Sequence, residues 1–379
     1  MKKAIYFLLL CLAMFTGCSC RKKPCDTTPP DDYDPRNVSR NSTISANSFI
    51  AIDGSGTVHI VWRDVVNGLE QIFYSYKNIG QGWATPANIS NSTLNASAPQ
   101  IAVDPAGGLH VVWDELGTSN QPTMYTNKTS GGSWVIPIDL SSASSPSGAL
   151  PQIGIDDVGK AYVVFMGGGT TVGMLFTVRE VNGLWALPVV FTPPSASANP
   201  VLAVSNDGQM HVLYERTDHQ IMYMHRSAGG VWDSAVDVSR MPGQYCSISN
   251  IIVDNAGNVY AAWTDRTARE VYFTFKAVGD TAWSQPLNVS NSAVGSWIPK
   301  MAVASDGTLH YIWAEDISPG VGDIYYNKRS PSGEWTTPIN ITNTPSDSRP
   351  NCVKYYNGKI HFSWSEWPEG EIYFDAHPK

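Results

Sequence analysis

Within the repeating body of this 379-residue chain, no segment combines helical length with a 3.6-residue apolar period, which leaves strands as the regular structure available. Charge is sparse at 15% of residues, while Gly (32), Pro (25), Trp (13) and Tyr (17) are plentiful, the composition of an all-β protein with many tight turns. Basic residues are in deficit. Against 33 Asp and Glu stand 25 Lys and Arg, a net charge of −8, so the basic footprint of a nucleic-acid binder is missing. A disulfide framework is missing too. The six cysteines are Cys11, Cys18, Cys20 and Cys25 near the start, then Cys246 and Cys352 far apart. No compact pair of ligands is spaced for a metal, and neither a metal nor any other cofactor is expected. After the first seventeen residues no apolar run is long enough to span a bilayer.

What is present begins with an address. Lys2 and Lys3 precede a short apolar run, Ala4 to Phe15, of signal-peptide length. It ends in Phe15-Thr16-Gly17-Cys18, which resembles the lipobox of bacterial lipoproteins, with Phe15 where Leu is usual. The resemblance implies a diacylated Cys18 as first residue of the mature protein, and Ser19 resembles the sorting pattern for outer-membrane delivery. Residues 1–17 are therefore expected to be a signal and 18–35 a lipidated cysteine with a polar tether that includes Lys22, Lys23, Pro29 and Pro30. Residues 36–379 would form a monomeric soluble domain that meets the membrane through its lipid alone. Removing Lys2 and Lys3 makes the mature charge two units more negative still. The expected location is the bacterial outer membrane, with display at the cell surface left open.

The body repeats itself seven times. Ile101-Ala102-Val103-Asp104, then Gly107, then His110-Val111-Val112-Trp113 has counterparts at Ile50 to Trp62, Ile153 to Phe165, Leu202 to Tyr214, Ile251 to Trp263, Met301 to Trp313 and Cys352 to Trp364. The closing aromatics lie 49 to 52 residues apart. Each copy continues through a variable loop, an aromatic run such as Ile324-Tyr325-Tyr326, a Gly-containing turn, a tryptophan and an Asn-hydrophobic-Ser/Thr segment. Four short strands repeated radially with this period predict an all-β, seven-bladed β-propeller with four-stranded antiparallel blades. The seventh copy stops before its fourth strand, and Asn37-Val38-Ser39 matches Asn88-Ile89-Ser90, Asn288-Val289-Ser290 and Asn340-Ile341-Thr342. The N-terminal strand is thus expected to complete blade seven and close the ring, removing two exposed sheet edges.

The aromatic third strand and the turn Ser330-Pro331-Ser332-Gly333-Glu334-Trp335 resemble the Asp-box, or BNR, repeat of the sialidase-like propeller superfamily. The resemblance covers residues 37–379, but Ser332 replaces the aspartate that names the box and the other copies lack it. Membership would imply a glycosidase that uses a tyrosine paired with a glutamate, an aspartate acid/base and three arginines clamping a carboxylate. The Phe/Tyr-Arg-Ile-Pro segment of true sialidases is absent, and no residue here can be assigned those roles by motif.

Propeller connectivity puts the loops between strands two and three, and between blades, on an upper face, and the other turns on a lower face. Asp64, Glu115, Asp265, Glu315 and Glu366 each lie two residues after the closing aromatic, and Glu215 lies one after it. Alternation sets a +2 acid on the same face as its tryptophan. Either each acid caps its own loop or pairs locally, or together they form a broken ring of carboxylates for a cation or a polar glycan. Tyr245, Trp297, Trp367 and His219 enter upper loops as departures from the repeat, and such aromatics either stack on sugar rings or plug the channel mouth. Arg63, Arg216 and Arg266 also enter upper loops, to bind an anionic sugar or to neutralise neighbouring acids. At the lower ends of third strands recur Lys77, Lys128, Arg179, Arg226, Lys276, Lys328 and Arg329. The repeated His59, His110, His211, His310 and His361 occupy one position in different blades and read as interblade packing with a hydrogen bond.

The preferred function is an envelope-anchored binding propeller that recognises glycan through its upper face. A sialidase-like glycosidase with a diverged site and a protein-interaction scaffold of an envelope complex are the alternatives.

Overall fold

A computed structural model describes residues 36–41, 43–117, 121–141, 148–167, 173–192 and 198–378. The signal, Cys18 and the tether lie outside the described residues. The first blade consists of β1 (Ala46–Ile52), β2 (Val58–Val66), β3 (Leu69–Lys77) and β4 (Ala87–Asn88), hydrogen-bonded in that order. Five further four-stranded sheets and one three-stranded sheet follow, antiparallel throughout, and no helix occurs among the described residues. The first strand of each blade touches the first strands of both neighbours, including that of blade one against Asp347–Tyr356 of blade seven. This is the expected seven-bladed propeller, with first strands around the axis.

The closing aromatics anchor it. Trp62, Trp113, Phe165, Trp263, Trp313 and Trp364 are buried to within 1% and fill the seams with Val and Ile from the same strands. A second aromatic system staples neighbouring blades on the lower side. The tryptophan after each third strand meets the third-strand aromatic of the preceding blade edge-on, as in Tyr74–Trp134 (5.1 Å), Tyr125–Trp185 (4.8 Å), Tyr223–Trp283 (4.8 Å) and Phe273–Trp335 (5.3 Å). Basic residues at the strand ends lie over these rings. Lys128 sits 5.4 Å from Tyr74 and 5.7 Å from Trp134, and Arg329 sits 4.7 Å from Phe275. The recurrent lower-face cations are thus in part cation–π clamps between blades, each contributing about 0.5–2 kcal/mol. They also alternate with the turn acids Asp53, Asp104, Asp156 and Asp254, so this face is of mixed charge.

The fourth strands are only two residues long, and the structure shows why the Asn-x-Ser/Thr pattern recurs there. The Ser or Thr hydroxyl accepts the N–H of the third strand's early residues: Ile72 to Ser90 (2.9 Å), Val271 to Ser290 (3.0 Å), Ile324 to Thr342 (2.9 Å). The Asn side chain accepts an N–H three residues on, holding Asn91, Asn291 and Asn343 at positive φ. Asn37 and Ser39 do the same for blade seven, through Arg40 N (3.0 Å) and Ile372 N (2.9 Å). Val38 N donates to Ile372 O (2.7 Å), Phe374 N donates to Arg36 O (2.9 Å), and Val38 is fully buried. The N-terminal segment closes the ring as its sequence predicts.

Four of the repeated histidines make the expected hydrogen bond, and its partner lies in the same blade. His59, His110, His211 and His310 pair through Nδ1 with a third-strand tyrosine at 2.8–2.9 Å. His59 and His110 also reach the turn aspartates Asp53 (3.3 Å) and Asp104 (3.1 Å) through Nε2. Burial, the largest cause, lowers the pKa of His59, His110 and His211, so they stay neutral at pH 7. Across a blade boundary, His310 stacks on Tyr355 at 5.1 Å.

Candidate functional site

The upper acids are engaged locally. Trp62 Nε1 donates to Asp64 (3.1 Å), Trp113 Nε1 to Glu115 (3.3 Å), Trp313 Nε1 to Glu315 (2.7 Å) and Trp364 Nε1 to Glu366 (2.6 Å). A buried indole needs an acceptor, and a carboxylate two residues along the strand supplies it. Thr43 and Asn41 also bind Asp64, Ser292 and Ser296 bind Glu315, and Ser348 binds Glu366. Asp265 accepts the N–H groups of Thr267 (2.8 Å) and Ala268 (3.2 Å) and so caps its own loop. All but Glu315 are buried. Each acid stays in its own blade, and among the described residues no three His, Cys, Asp or Glu side chains are grouped to hold a metal.

What the structure does bring together lies on the upper loops of blades four to seven. The blade-five loop Arg266-Thr267-Ala268-Arg269 carries an arginine at each end. Arg266 lies 5.3 Å over Tyr245, and its Nη1 donates to the phenol oxygen at 3.4 Å. Tyr245 in turn packs on His219, with ring centroids 3.9 Å apart, and Glu215 holds His219 Nδ1 at 3.0 Å. Asn199 donates to the other oxygen of Glu215 at 2.9 Å. At the loop's far end Arg269 lies 5.4 Å over Trp297, and Asp316 accepts from both Arg269 (2.9 Å) and Trp297 Nε1 (3.0 Å). Arg349, which starts blade seven, bridges Asp316 (3.4 Å) and Asp347 (2.7 Å).

Tyr245 and Trp297, read from sequence as upper-face aromatics, thus join one band. Trp367, half-buried at the upper end of blade seven, pairs with Asp347 through its backbone, and its side chain makes no ring contact or hydrogen bond among the described residues. Arg63 pairs with Glu70 (2.6 Å) within blade one, and Arg216 with Asp218 (2.5 Å) in its own loop. Arg266 alone of these three has no carboxylate partner among the described residues, and it keeps most of its donors for solvent. Arg269, Asp316, Asp347 and Arg349 escaped the sequence analysis. Their signal was weak: they fall outside the repeated columns, one or more steps beyond the strand ends that the period marks.

Asp114 also went unremarked, one residue after Trp113. It is 4% exposed, accepts the N–H of Leu150 (3.0 Å) and leaves Oδ1 without a partner among the described residues. Leu150 sits at the inner-strand bulge with φ 51°, which turns its N–H toward blade two. Burial pushes the Asp114 carboxyl up to about 6. Its folded pKa exceeds the unfolded value, so folding favours the protonated form and stability falls as pH rises from about 4 to about 6. Asp114→Asn should therefore raise the melting temperature at pH 7.5, by the equivalent of about 2–3 kcal/mol, and give no gain at pH 4. Equal gains at both pH values in thermal melts would contradict this account.

A cavity of about 510 Å³ lies on the opposite, lower face, between the turns of blades five, six and seven. Asp254, Asp306, Tyr355 and Tyr356 contribute to its wall, but Asp254 is spent on the turn N–H groups of Ala256 and Asn258 and on the hydroxyl of Tyr260.

No protein-family model matches the chain, and no curated protein does. Solved structures do. A polysaccharide lyase of family PL25, an ulvan lyase bound to -[GlcA(1-4)Rha3S]-, aligns with a TM-score of 0.66 at 13% identity, over 89% of this chain and 94% of that one. The α-L-arabinofuranosidase Arb93A from Fusarium graminearum gives 0.52 at 12% identity, over 79% and 96%. The NanB sialidase from Streptococcus pneumoniae gives 0.50 at 11%, over 89% and 68%. Such likeness, at 11–13% identity, conveys the β-propeller fold alone.

Proposed function

We propose that this protein is tethered to the bacterial envelope through Cys18 and binds an acidic polysaccharide across the upper face of blades four to seven. The observation that carries the proposal is the Arg266–Arg269 loop, which lays two guanidinium groups over two partly exposed aromatic rings. Tyr245 and Trp297 offer stacking faces for sugar rings, and Arg266 offers unspent donors to a uronate or sulfate. Glycan-acting propellers among the similar structures, one holding a uronate and a sulfated sugar, agree with this chemistry. Titration with uronate-bearing, sulfated and neutral polysaccharides of matched length should show binding to acidic chains only, weakened by salt. Equal affinity for neutral chains would overturn the proposal.

A second reading, cleavage, is favoured by one arrangement. Glu215 orients His219, which touches Tyr245, and Arg266 lies above. An imidazole held by a carboxylate can take the C5 proton, α to a uronate carboxylate that an arginine neutralises; the C4–O bond then breaks to form a C4=C5 double bond, and the departing oxygen takes a proton from water. Unsaturated ends, seen as new ultraviolet absorbance after overnight incubation, would establish turnover, and His219→Ala should abolish it.

A further inference from the structure

Among the described residues, the most exposed aliphatic side chains are gathered on the lower face and the adjoining rim. Ile79 (71%), Val158 (67%), Val181 (61%), Leu184 (68%), Val231 (67%) and Val278 (65%) all occupy lower-face turns, in blades one, three, four and five. Ile136 (87%) and Leu187 (72%) lie on the outer rim, each two residues after the tryptophan that follows such a turn. On the upper loops no aliphatic side chain among the described residues reaches 50%; Ile44 (49%), Val294 (47%) and Ile317 (46%) come nearest. The turn geometry does not require apolar tips, because the equivalent turns of blades two and six are Thr129-Ser130-Gly131-Gly132 and Ser330-Pro331-Ser332-Gly333. Three tips share a local pattern. A basic residue precedes the aliphatic one by two positions, in Lys77-Asn78-Ile79, Arg179-Glu180-Val181 and Lys276-Ala277-Val278.

The described chain begins on this same side. Arg36 pairs with Phe374, and the strand Glu371–Pro378 runs to the lower end of blade seven, so residues 36–38 rise from the lower face. Cys18 lies eighteen residues upstream, a reach of at most about 60 Å at 3.3–3.6 Å per residue. We infer that the lower face docks on the lipid bilayer, with the aliphatic turn tips in the acyl boundary and the basic strand ends at the head groups. Aliphatic tips beside basic stems suit that boundary: on a face of mixed charge the apolar area supplies most of the attraction, and the basic strand ends add to it locally at the head groups. Docking fixes the propeller upper face outward. The inference rests on the tether of the proposed function, and the two can fail separately.

The test uses the full-length protein purified from bacterial membranes and reconstituted in phosphatidylethanolamine/phosphatidylglycerol vesicles. Cys20 and Cys25 are replaced by serine, while Cys246 and Cys352 are buried and shielded from label. Single cysteines at Ile79, Val181 and Val278, and at Val294 on the upper face, carry an environment-sensitive fluorophore, and nitroxide lipids serve as quencher. At least about twofold stronger quenching at 79, 181 and 278 than at 294 is expected, and Val181→Ser with Leu184→Ser should reduce quenching at 79. Equal quenching at all four positions in protein whose mass shows an acylated Cys18 would overturn docking and leave the tether intact. If the mass shows a bare Cys18 the tether fails, and the same labels on protein added to preformed vesicles decide the docking face by itself.

Discussion

Deleting residues 36–41 is expected to lower the melting temperature by about 10 °C or more and to produce soluble aggregates, while deleting residues 20–33 leaves the melt unchanged. The first deletion removes Val38 from a cluster with Ile50, Trp62, Trp83 and Phe374, worth about 1.5–3 kcal/mol by burial alone. It also orphans the N–H groups of Ile372 and Phe374 and the carboxylate of Glu371, which Ser39 now binds, at about 1–3 kcal/mol for each buried group. The loss is comparable with the whole stability of many domains. It also bares the third strand of blade seven as a sheet edge open to other copies. Val38→Asp should reproduce most of the effect with the chain length intact. Coincident melts for the two deletions would show that the ring holds without this segment.

The fold was legible because the propeller writes itself seven times. One tryptophan or other aromatic per fifty residues fixes the second strand of every blade, and the Asn-x-Ser/Thr segment fixes the fourth, even where it sits three hundred residues from its sheet. Each repeated column proved to be a seam or a turn device: Trp62 with Asp64, His59 with Tyr74, Ser90 on Ile72 N. That success also explains what the sequence hid. A period reports what all blades share, and what they share is structural, so the repeated acids of the upper strand ends stand out although their carboxylates serve their own indoles and loops. Residues such as Arg269, Asp316 and Arg349 occur once each, and only the folded ring brings three successive blades together at one carboxylate. Asp114 was hidden for another reason. Its raised pKa comes from burial in the folded ring, which the Leu150 N–H of the next blade only partly offsets, and no local pattern announces either.

The band across blades four to seven should carry most of the affinity for an acidic polysaccharide. Arg266→Ala removes a guanidinium with no carboxylate partner among the described residues, so its loss leaves no charge unpaired and releases only the exposed Tyr245 hydroxyl to solvent. A charge-assisted hydrogen bond to a sugar carboxylate or sulfate contributes about 1.5–3 kcal/mol, so affinity should fall roughly 10- to 100-fold. Arg266→Lys keeps the charge but loses the planar fork, and an intermediate loss is expected. Arg269→Ala frees Asp316 to bind Arg349 and Trp297 more fully, so its effect should be smaller and accompanied by a weaker salt dependence. Tyr245→Ala and Trp297→Ala remove the stacking faces and should weaken binding of acidic and neutral stretches alike. Arg63→Ala and Arg216→Ala, whose partners are Glu70 and Asp218, should leave affinity within about twofold. Titration calorimetry beside thermal melts separates these outcomes. If Arg63→Ala or Arg216→Ala costs as much affinity as Arg266→Ala at unchanged melting temperature, the ligand spans the whole upper ring and the four-blade band is the wrong site.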